Sequence, residues 1–98
     1  MRQVHMYIIG DVIGVGFRAW LKIQAKIIGV HGWVRNVYIH PDKFGPGGGI
    51  ETVIQGEDVK VEEMIEKAKE GPPVSRVEDV ELYEQSPKEI FEIFEIRK

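Results

Sequence analysis

Residues 10–36 read GDVIGVGFRAWLKIQAKIIGVHGWVRN, and this stretch decides the fold because its glycines separate a helical pattern from a strand pattern on each side. Over residues 17–28, apolar side chains recur at spacings of three and four, which predicts an amphipathic helix with a wide apolar face that ends at Gly29. The β-branched and aromatic residues of 3–12 predict a first strand, and the alternation over 32–39 predicts a second. The chain therefore begins with a β-α-β unit.

The second half of the chain again shows strand patterns on both sides of a helix pattern. Residues 40–49 are rich in proline and glycine and predict a flexible turn without regular structure. Strand-forming residues resume at 50–55, which predicts an antiparallel hairpin with the second strand. Apolar residues at i, i+3, i+4 and i+7 from Val61 predict a second helix. A fourth strand is predicted over 74–83, and a short terminal strand over 90–96.

The element order is therefore βαββαβ with a short C-terminal strand. Two helices with one apolar stripe each, combined with alternating strands, fit an α+β fold in which both helices cover one face of an antiparallel sheet. This is the ferredoxin-like split βαβ sandwich. No linker or repeat divides the sequence, so we expect residues 1–98 to form a single domain.

Composition excludes several classes of function. With 13 basic and 16 acidic residues the formal charge is -3, so we expect no binding to nucleic acid. The chain has no cysteine, and its 3 histidines are widely spaced, so we expect no metal site. No apolar run is long enough for a membrane span, and the first ten residues do not resemble a signal peptide. We expect a cytoplasmic protein.

The segment Ile13 to Arg18 lies where the first strand ends and the first helix begins. Backbone N–H groups at a helix start have no intrahelical partner, so several of them can bind one anion. Gly14 and Gly16 suit such a nest, because it needs positive φ or a close approach of the backbone. The Arg18 guanidinium adds a fork of donors that matches phosphate oxygens. The residues alone also allow a simple tight turn followed by a solvated arginine.

Two phosphate-binding motifs come close to this segment without fitting it. Gly14-x-Gly16-x-x-Ala19 matches the dinucleotide fingerprint, but no acidic residue follows about twenty residues later and the chain is too short for a doubly wound sheet. The Walker pattern fails because no Gly-Lys-Ser/Thr follows the glycines. Farther along, Asn36 is a poor strand former within an apolar strand. Its amide either faces solvent or holds a water molecule beside a phosphate.

Two stretches of the sequence carry a specific resemblance. The segment 10–18, Gly10-x-Val12-x-Gly14-Val15-Gly16-Phe17-Arg18, is followed at the right distance by segment 29–36, Gly29-Val30-His31-Gly32-Trp33-Val34-Arg35-Asn36. Together they resemble the two signatures of the acylphosphatase family, and the likeness extends over nearly the whole chain. The resemblance implies a metal-independent hydrolase without cofactors, which cleaves small-molecule acyl phosphates to a carboxylate and inorganic phosphate.

The resemblance also implies roles for individual residues. The backbone of Ile13, Gly14, Val15, Gly16 and Phe17 and the guanidinium of Arg18 would hold the phosphate, while Asn36 would orient the attacking water. Ile13 departs from the family's usual glutamine, which predicts altered loop packing rather than lost activity. The long loop 41–48 departs as well, since relatives turn tightly there.

Three other functions are alternatives to acyl phosphate hydrolysis. An RNA-binding domain of the same plan would need an aromatic signature on its sheet that this chain lacks. A domain acting on carbamoyl phosphate, as in carbamoyl-transferring maturation proteins, belongs to long chains, so 98 residues favour a stand-alone hydrolase. A purely structural relative would not need Arg18 or Asn36. We expect a monomer, because charged residues on the terminal strand oppose edge pairing.

Overall fold

A computed structural model describes all residues 1–98 and shows a five-stranded sheet with two long helices packed on one face. The elements follow in the order β1 (Arg2–Asp11), α1 (Phe17–Ile28), β2 (His31–Val37), α2 (Pro41–Phe44), β3 (Gly49–Gly56), α3 (Asp58–Glu70), β4 (Arg76–Gln85) and β5 (Phe94–Ile96). The predicted ferredoxin-like split βαβ fold is confirmed, and α1 has the predicted bounds. The terminal strand is shorter than predicted.

The sheet has the strand order β4-β1-β3-β2-β5. Strand β1 pairs antiparallel with β3 and β4, and β2 pairs antiparallel with β3, as the predicted hairpin requires. The prediction of an antiparallel sheet is confirmed for β1 to β4 and is wrong for the short C-terminal strand, because β5 runs parallel to β2. The chain leaves β4 at the end of the sheet where β2 begins, and residues 86–93 cross that end. Strand β5 therefore starts beside the start of β2 and runs in the same direction.

The core lies between the sheet and the two long helices. Alternate residues of the central strands meet every third or fourth residue of α1 and α3, as the two periodicities require. Sixteen buried residues form one cluster, and the strands and helices contribute among others Val4, Met6, Ile8, Leu21, Ala25, Ile54, Val61 and Met64. The apolar face of α1 is narrower than predicted, since Ile23 and Ile27 remain 57% and 72% exposed.

Residues 40–48 form a strap over the other face of the sheet. The prediction of a turn without regular structure is wrong here, because Pro41–Phe44 forms the short helix α2. Phe44 is buried, with its ring 5.9 Å from that of Tyr7. Lys43 Nζ lies 2.6 Å from Glu81 Oε1 and 4.4 Å above the Tyr7 ring. The strap is therefore held to the sheet by an aromatic contact, an ion pair and a cation–π contact.

Candidate active site

The loop between β1 and α1 leaves its backbone donors free. Helix α1 begins after Gly16, and no side chain caps its first turn. Outside the helices and strands, no backbone hydrogen bond is donated by residues 13–19, and no acidic residue lies in the first turn of α1. Free N–H groups and the positive end of the helix dipole face the same space. The loop is therefore suited to bind an anion.

Gly14 and Gly16 are required by the backbone conformation of this loop. Both have φ of 76°, in the left-handed region that disfavours residues with a Cβ. A Cβ added at either position would meet no atom within 4 Å, so crowding within the protein does not explain the glycines. Left-handed residues of this kind are typical of anion nests, in which successive backbone N–H groups converge on one site.

Replacing Gly16 with alanine tests this conformation. We expect Gly16→Ala to lower the free energy of unfolding by about 1–2 kcal/mol, because alanine is strained at positive φ. Relief of that strain should also move the loop N–H groups and weaken inhibition by inorganic phosphate several-fold. Gly29→Ala is the matched control, since Gly29 is left-handed at the other end of α1 and lies outside the loop. Equal phosphate inhibition constants in the two variants would contradict the nest.

Arg18 and Asn36 meet at this loop. Both line one cleft of about 210 Å³, together with Gly14, Gly16 and Phe17 of the loop. Arg18 takes part in none of the ion pairs of the chain, whereas Arg2, Arg35 and Arg97 each contact a glutamate. An unpaired guanidinium beside free N–H groups makes the cleft positive, which favours a phosphate.

Asn36 enters the cleft because of the alternation of β2. It pairs with Ile50 in a ladder without a bulge, and it shares the helix-covered face of the sheet with the buried Val34. Its Nδ2 donates to the Tyr38 hydroxyl at 3.0 Å. Arg35 lies on the opposite face, where its Nε contacts Glu51 Oε1 at 2.6 Å. The amide of Asn36 is therefore part of the cleft, whereas the side chain of the neighbouring Arg35 is not.

Comparison with known proteins identifies the family. Residues 4–96 match the sequence profile of the family described as Acylphosphatase. The chain belongs to the acylphosphatase family. An acylphosphatase of Thermococcus kodakarensis is 42% identical over 86 residues, which cover 88% of this chain and 86% of that protein. The predicted family resemblance is thus confirmed.

Solved structures agree with this membership. The crystal structure of acylphosphatase from Bacillus subtilis superposes with a TM-score of 0.87 at 28% identity, over 100% of both chains. Full-length HypF in its phosphate- and nucleotide-bound form matches 99% of this chain at 26% identity and a TM-score of 0.83, but over only 12% of its own length. The acylphosphatase fold thus accounts for the whole of this chain and for a small part of HypF.

The acylphosphatase cleft contains most of the predicted site residues. Gly14, Gly16, Phe17, Arg18 and Asn36 line it. Ile13 and Val15 are not among the residues that line the cleft, and their side chains pack against the core cluster instead. This packing is consistent with an apolar residue at position 13, where the resemblance implied glutamine.

Three apolar wall residues of the acylphosphatase cleft escaped prediction: Val12, Ala19 and Ile96. Val12 and Ala19 flank the loop in sequence, and this proximity could have identified them as wall residues. Ile96 reaches the cleft only because β5 pairs parallel with β2, which places it opposite Val34. No local pattern in the sequence indicates that pairing.

Histidines and metal-ligating clusters do not contribute to the acylphosphatase cleft. His31 has the opposite strand parity to Asn36, as predicted, and its Nδ1 contacts the Phe91 carbonyl at 2.9 Å. No group of three or more His, Cys, Asp or Glu side chains is arranged to hold a metal ion. None of the helices combines the length and apolar character needed to cross a bilayer.

A buried carboxylate lies on the other face of the acylphosphatase sheet. The Glu51 side chain is only 8% exposed, and its two oxygens contact His5 Nε2 and Arg35 Nε, each at 2.6 Å. Burial by itself raises the pKa of this carboxyl, but the hydrogen bonds from Arg35 and His5 outweigh burial and hold the pKa below its ordinary 4.5. The folded state therefore favours the ionised form of Glu51.

This depressed pKa predicts a loss of stability in acid. A carboxyl whose pKa is lower in the folded state stabilises the protein above its unfolded pKa, and that contribution is lost as pH falls through the folded pKa. We expect the free energy of unfolding to decrease as pH falls below about 4.5. Glu51→Gln should reduce that decrease and cost about 1–3 kcal/mol at pH 7, because Arg35 and His5 lose an ionised acceptor.

Urea unfolding of both proteins between pH 7 and pH 3 measures this effect. Glu63→Gln is the control, because Glu63 is exposed on α3 and forms no ion pair. An unchanged pH dependence in Glu51→Gln would show that the Glu51 cluster does not contribute to acid sensitivity.

Proposed function

We propose that this chain hydrolyses the carboxyl–phosphate bond of acyl phosphates, releasing a carboxylate and inorganic phosphate, the reaction named by its family. The observation that carries the proposal is the convergence of Arg18 and Asn36 on a cleft whose floor is a loop of free N–H donors. A cation and an aligned set of donors suit a phosphate dianion, and a neutral amide beside them suits a water molecule.

In the proposed mechanism, the loop backbone from Ile13 to Phe17 and the Arg18 guanidinium bind the phosphate oxygens. Charge on the equatorial oxygens is neutralised by donors that are already in place before the substrate arrives. Because the leaving carboxylate is stable by itself, phosphoryl transfer here demands mainly positioning and charge neutralisation. These residues can supply both, so we propose a reaction that needs neither a metal nor a cofactor.

Asn36 completes the mechanism by holding water. Its Oδ1 accepts a hydrogen bond from the water, and the N–H not bound to Tyr38 donates to a phosphate oxygen. The water oxygen forms a bond to phosphorus while the bond between phosphorus and the acyl oxygen breaks. The electron pair of the broken bond leaves with the carboxylate. We assign the released proton to a phosphate oxygen or to solvent, since no histidine lines the cleft.

The direct test is hydrolysis of benzoyl phosphate by the purified protein in the presence of EDTA. We expect rapid release of benzoate and phosphate, unaffected by the chelator. A folded protein without turnover would overturn the proposal. Carbamoyl phosphate, which is also a mixed anhydride of phosphate, is the informative second substrate, because a domain that acts on it is one of the alternatives raised by the sequence. Turnover of carbamoyl phosphate alone would favour that alternative.

We further propose that residues 1–98 act as one domain and as a cytoplasmic monomer on small-molecule substrates, without nucleic acid. A single cluster of buried residues supports one domain. Arg2–Asp11 forms an inner strand that pairs with both β3 and β4, which also supports one domain. The edge strand β5 has only 3 residues, and the other edge, β4, carries five charged residues of which four are acidic, which discourages pairing between copies. Light scattering after gel filtration tests the monomer.

A further inference from the structure

Tyr38 is held against the active-site amide although its ring is open to solvent. The residue is 61% exposed, and it follows the last residue of β2. Its hydroxyl nevertheless accepts a hydrogen bond from Asn36 Nδ2 at 3.0 Å. Of the two polar ends of the Asn36 amide, the nitrogen is thus directed to Tyr38 and the oxygen is directed away from it.

The orientation of this amide decides what Asn36 can do. The oxygen and nitrogen of an asparagine amide have nearly the same shape, so a rotation of half a turn exchanges an acceptor for two donors. A water molecule that attacks phosphorus must be held by an acceptor, so that its own lone pair points at the substrate. The Tyr38 hydroxyl restrains the amide by accepting from Nδ2. Because a hydroxyl can also donate, the orientation itself is selected by the phosphate, which only accepts: it binds the second N–H and leaves Oδ1 free for the water.

Gly48, at the end of the strap, lies against the Tyr38 ring. A Cβ at Gly48 would lie 3.0 Å from Tyr38 Cδ1 and 2.7 Å from the Val37 carbonyl oxygen, so the strap backbone passes directly against the ring and its strand. The strap itself is fixed to the sheet by the buried Phe44 and by the 2.6 Å contact between Lys43 and Glu81. The long loop therefore ends in a seat for the aromatic ring beside Asn36.

We propose that Tyr38 is a positioning residue, which holds the Asn36 amide in the orientation that binds the attacking water, and that the strap seats its ring. This inference rests on the function proposed above for Asn36. The family resemblance left the long loop unexplained. The inference gives this loop a role at the active site, although the loop covers the opposite face of the sheet.

The test is Tyr38→Phe, which removes the hydroxyl and keeps the ring in its seat. We expect kcat for benzoyl phosphate to fall about 3- to 10-fold, the scale of one lost hydrogen bond. KM and inhibition by inorganic phosphate should stay unchanged, because the phosphate contacts are intact. Tyr83→Phe is the matched control, since the Tyr83 hydroxyl donates to Glu81 on β4 and should leave kcat unaltered.

A double-mutant cycle with Asn36→Ala separates the possible outcomes. We expect Tyr38→Phe to have no further effect on kcat once Asn36 is alanine, because the hydroxyl acts through the amide. If Asn36→Ala lowers kcat and Tyr38→Phe does not, or if Tyr38→Phe lowers kcat equally in both backgrounds, the role of Tyr38 is wrong while the proposed function stands. If Asn36→Ala itself leaves kcat unchanged, the role proposed for Asn36 fails and the role of Tyr38 fails with it, whereas absence of turnover in the unmodified protein would overturn the proposed function.

Discussion

Replacing Arg18 with alanine is expected to lower kcat/KM for benzoyl phosphate by about 100- to 1000-fold, the scale of losing one preorganised charge-stabilising donor. Arg18 lines the cleft, and it forms no ion pair that would hold it in a purely structural role. Its charge meets the substrate phosphate and the charge that develops on the equatorial oxygens, so both KM and kcat should change. Steady-state kinetics with benzoyl phosphate measures the effect.

Two further variants define what Arg18 supplies. Arg18→Lys keeps the charge but loses the planar fork of donors, so we expect only partial recovery of kcat/KM. Lys22→Ala removes an exposed cation one turn along α1, outside the cleft, and should leave the kinetics unchanged. Near-normal turnover by a folded Arg18→Ala protein would remove Arg18 from the mechanism.

The Asn36→Ala variant is expected to lose kcat by about 100-fold, the effect of misplacing a reacting group. Inhibition by inorganic phosphate should weaken only slightly, because the loop and Arg18 supply most of the phosphate contacts and Asn36 supplies a single hydrogen bond. An interaction that matters mainly in the transition state lowers kcat without weakening ground-state binding. Kinetics combined with phosphate inhibition at one pH distinguishes the two effects.

The chain offers a matched control for the lost amide. Gln24→Ala removes an amide from α1 outside the cleft and should alter neither kcat nor phosphate inhibition. Equal weakening of turnover and of phosphate inhibition in Asn36→Ala would instead show that Asn36 acts chiefly through its hydrogen bond to the phosphate, which contradicts its assigned role of holding the water. Arg18 and Asn36 are thus distinguished by phosphate inhibition, which should weaken in Arg18→Ala and persist in Asn36→Ala.

The sequence by itself determined the local elements and most of the site. Helix α1 begins and ends at the predicted residues, because a helix depends on spacings of three and four residues and on the glycines at its ends. The loop 13–18 could be predicted for the same reason, since positive φ and free N–H groups arise within a few neighbouring residues. The side of the sheet that carries Asn36 followed from the alternation of β2.

Which distant segments meet depends on tertiary packing and not on local sequence patterns. The parallel pairing of β5 depends on where residues 86–93 cross the sheet, and it alone brings Ile96 to the cleft. The proline and glycine content of the strap predicted an unstructured turn. Phe44 and Lys43 order the strap through contacts with strands far away in sequence, which no local pattern shows. Spacing within a segment fixes its conformation, but its partners are chosen by packing and hydrogen bonding between segments, which no local pattern records.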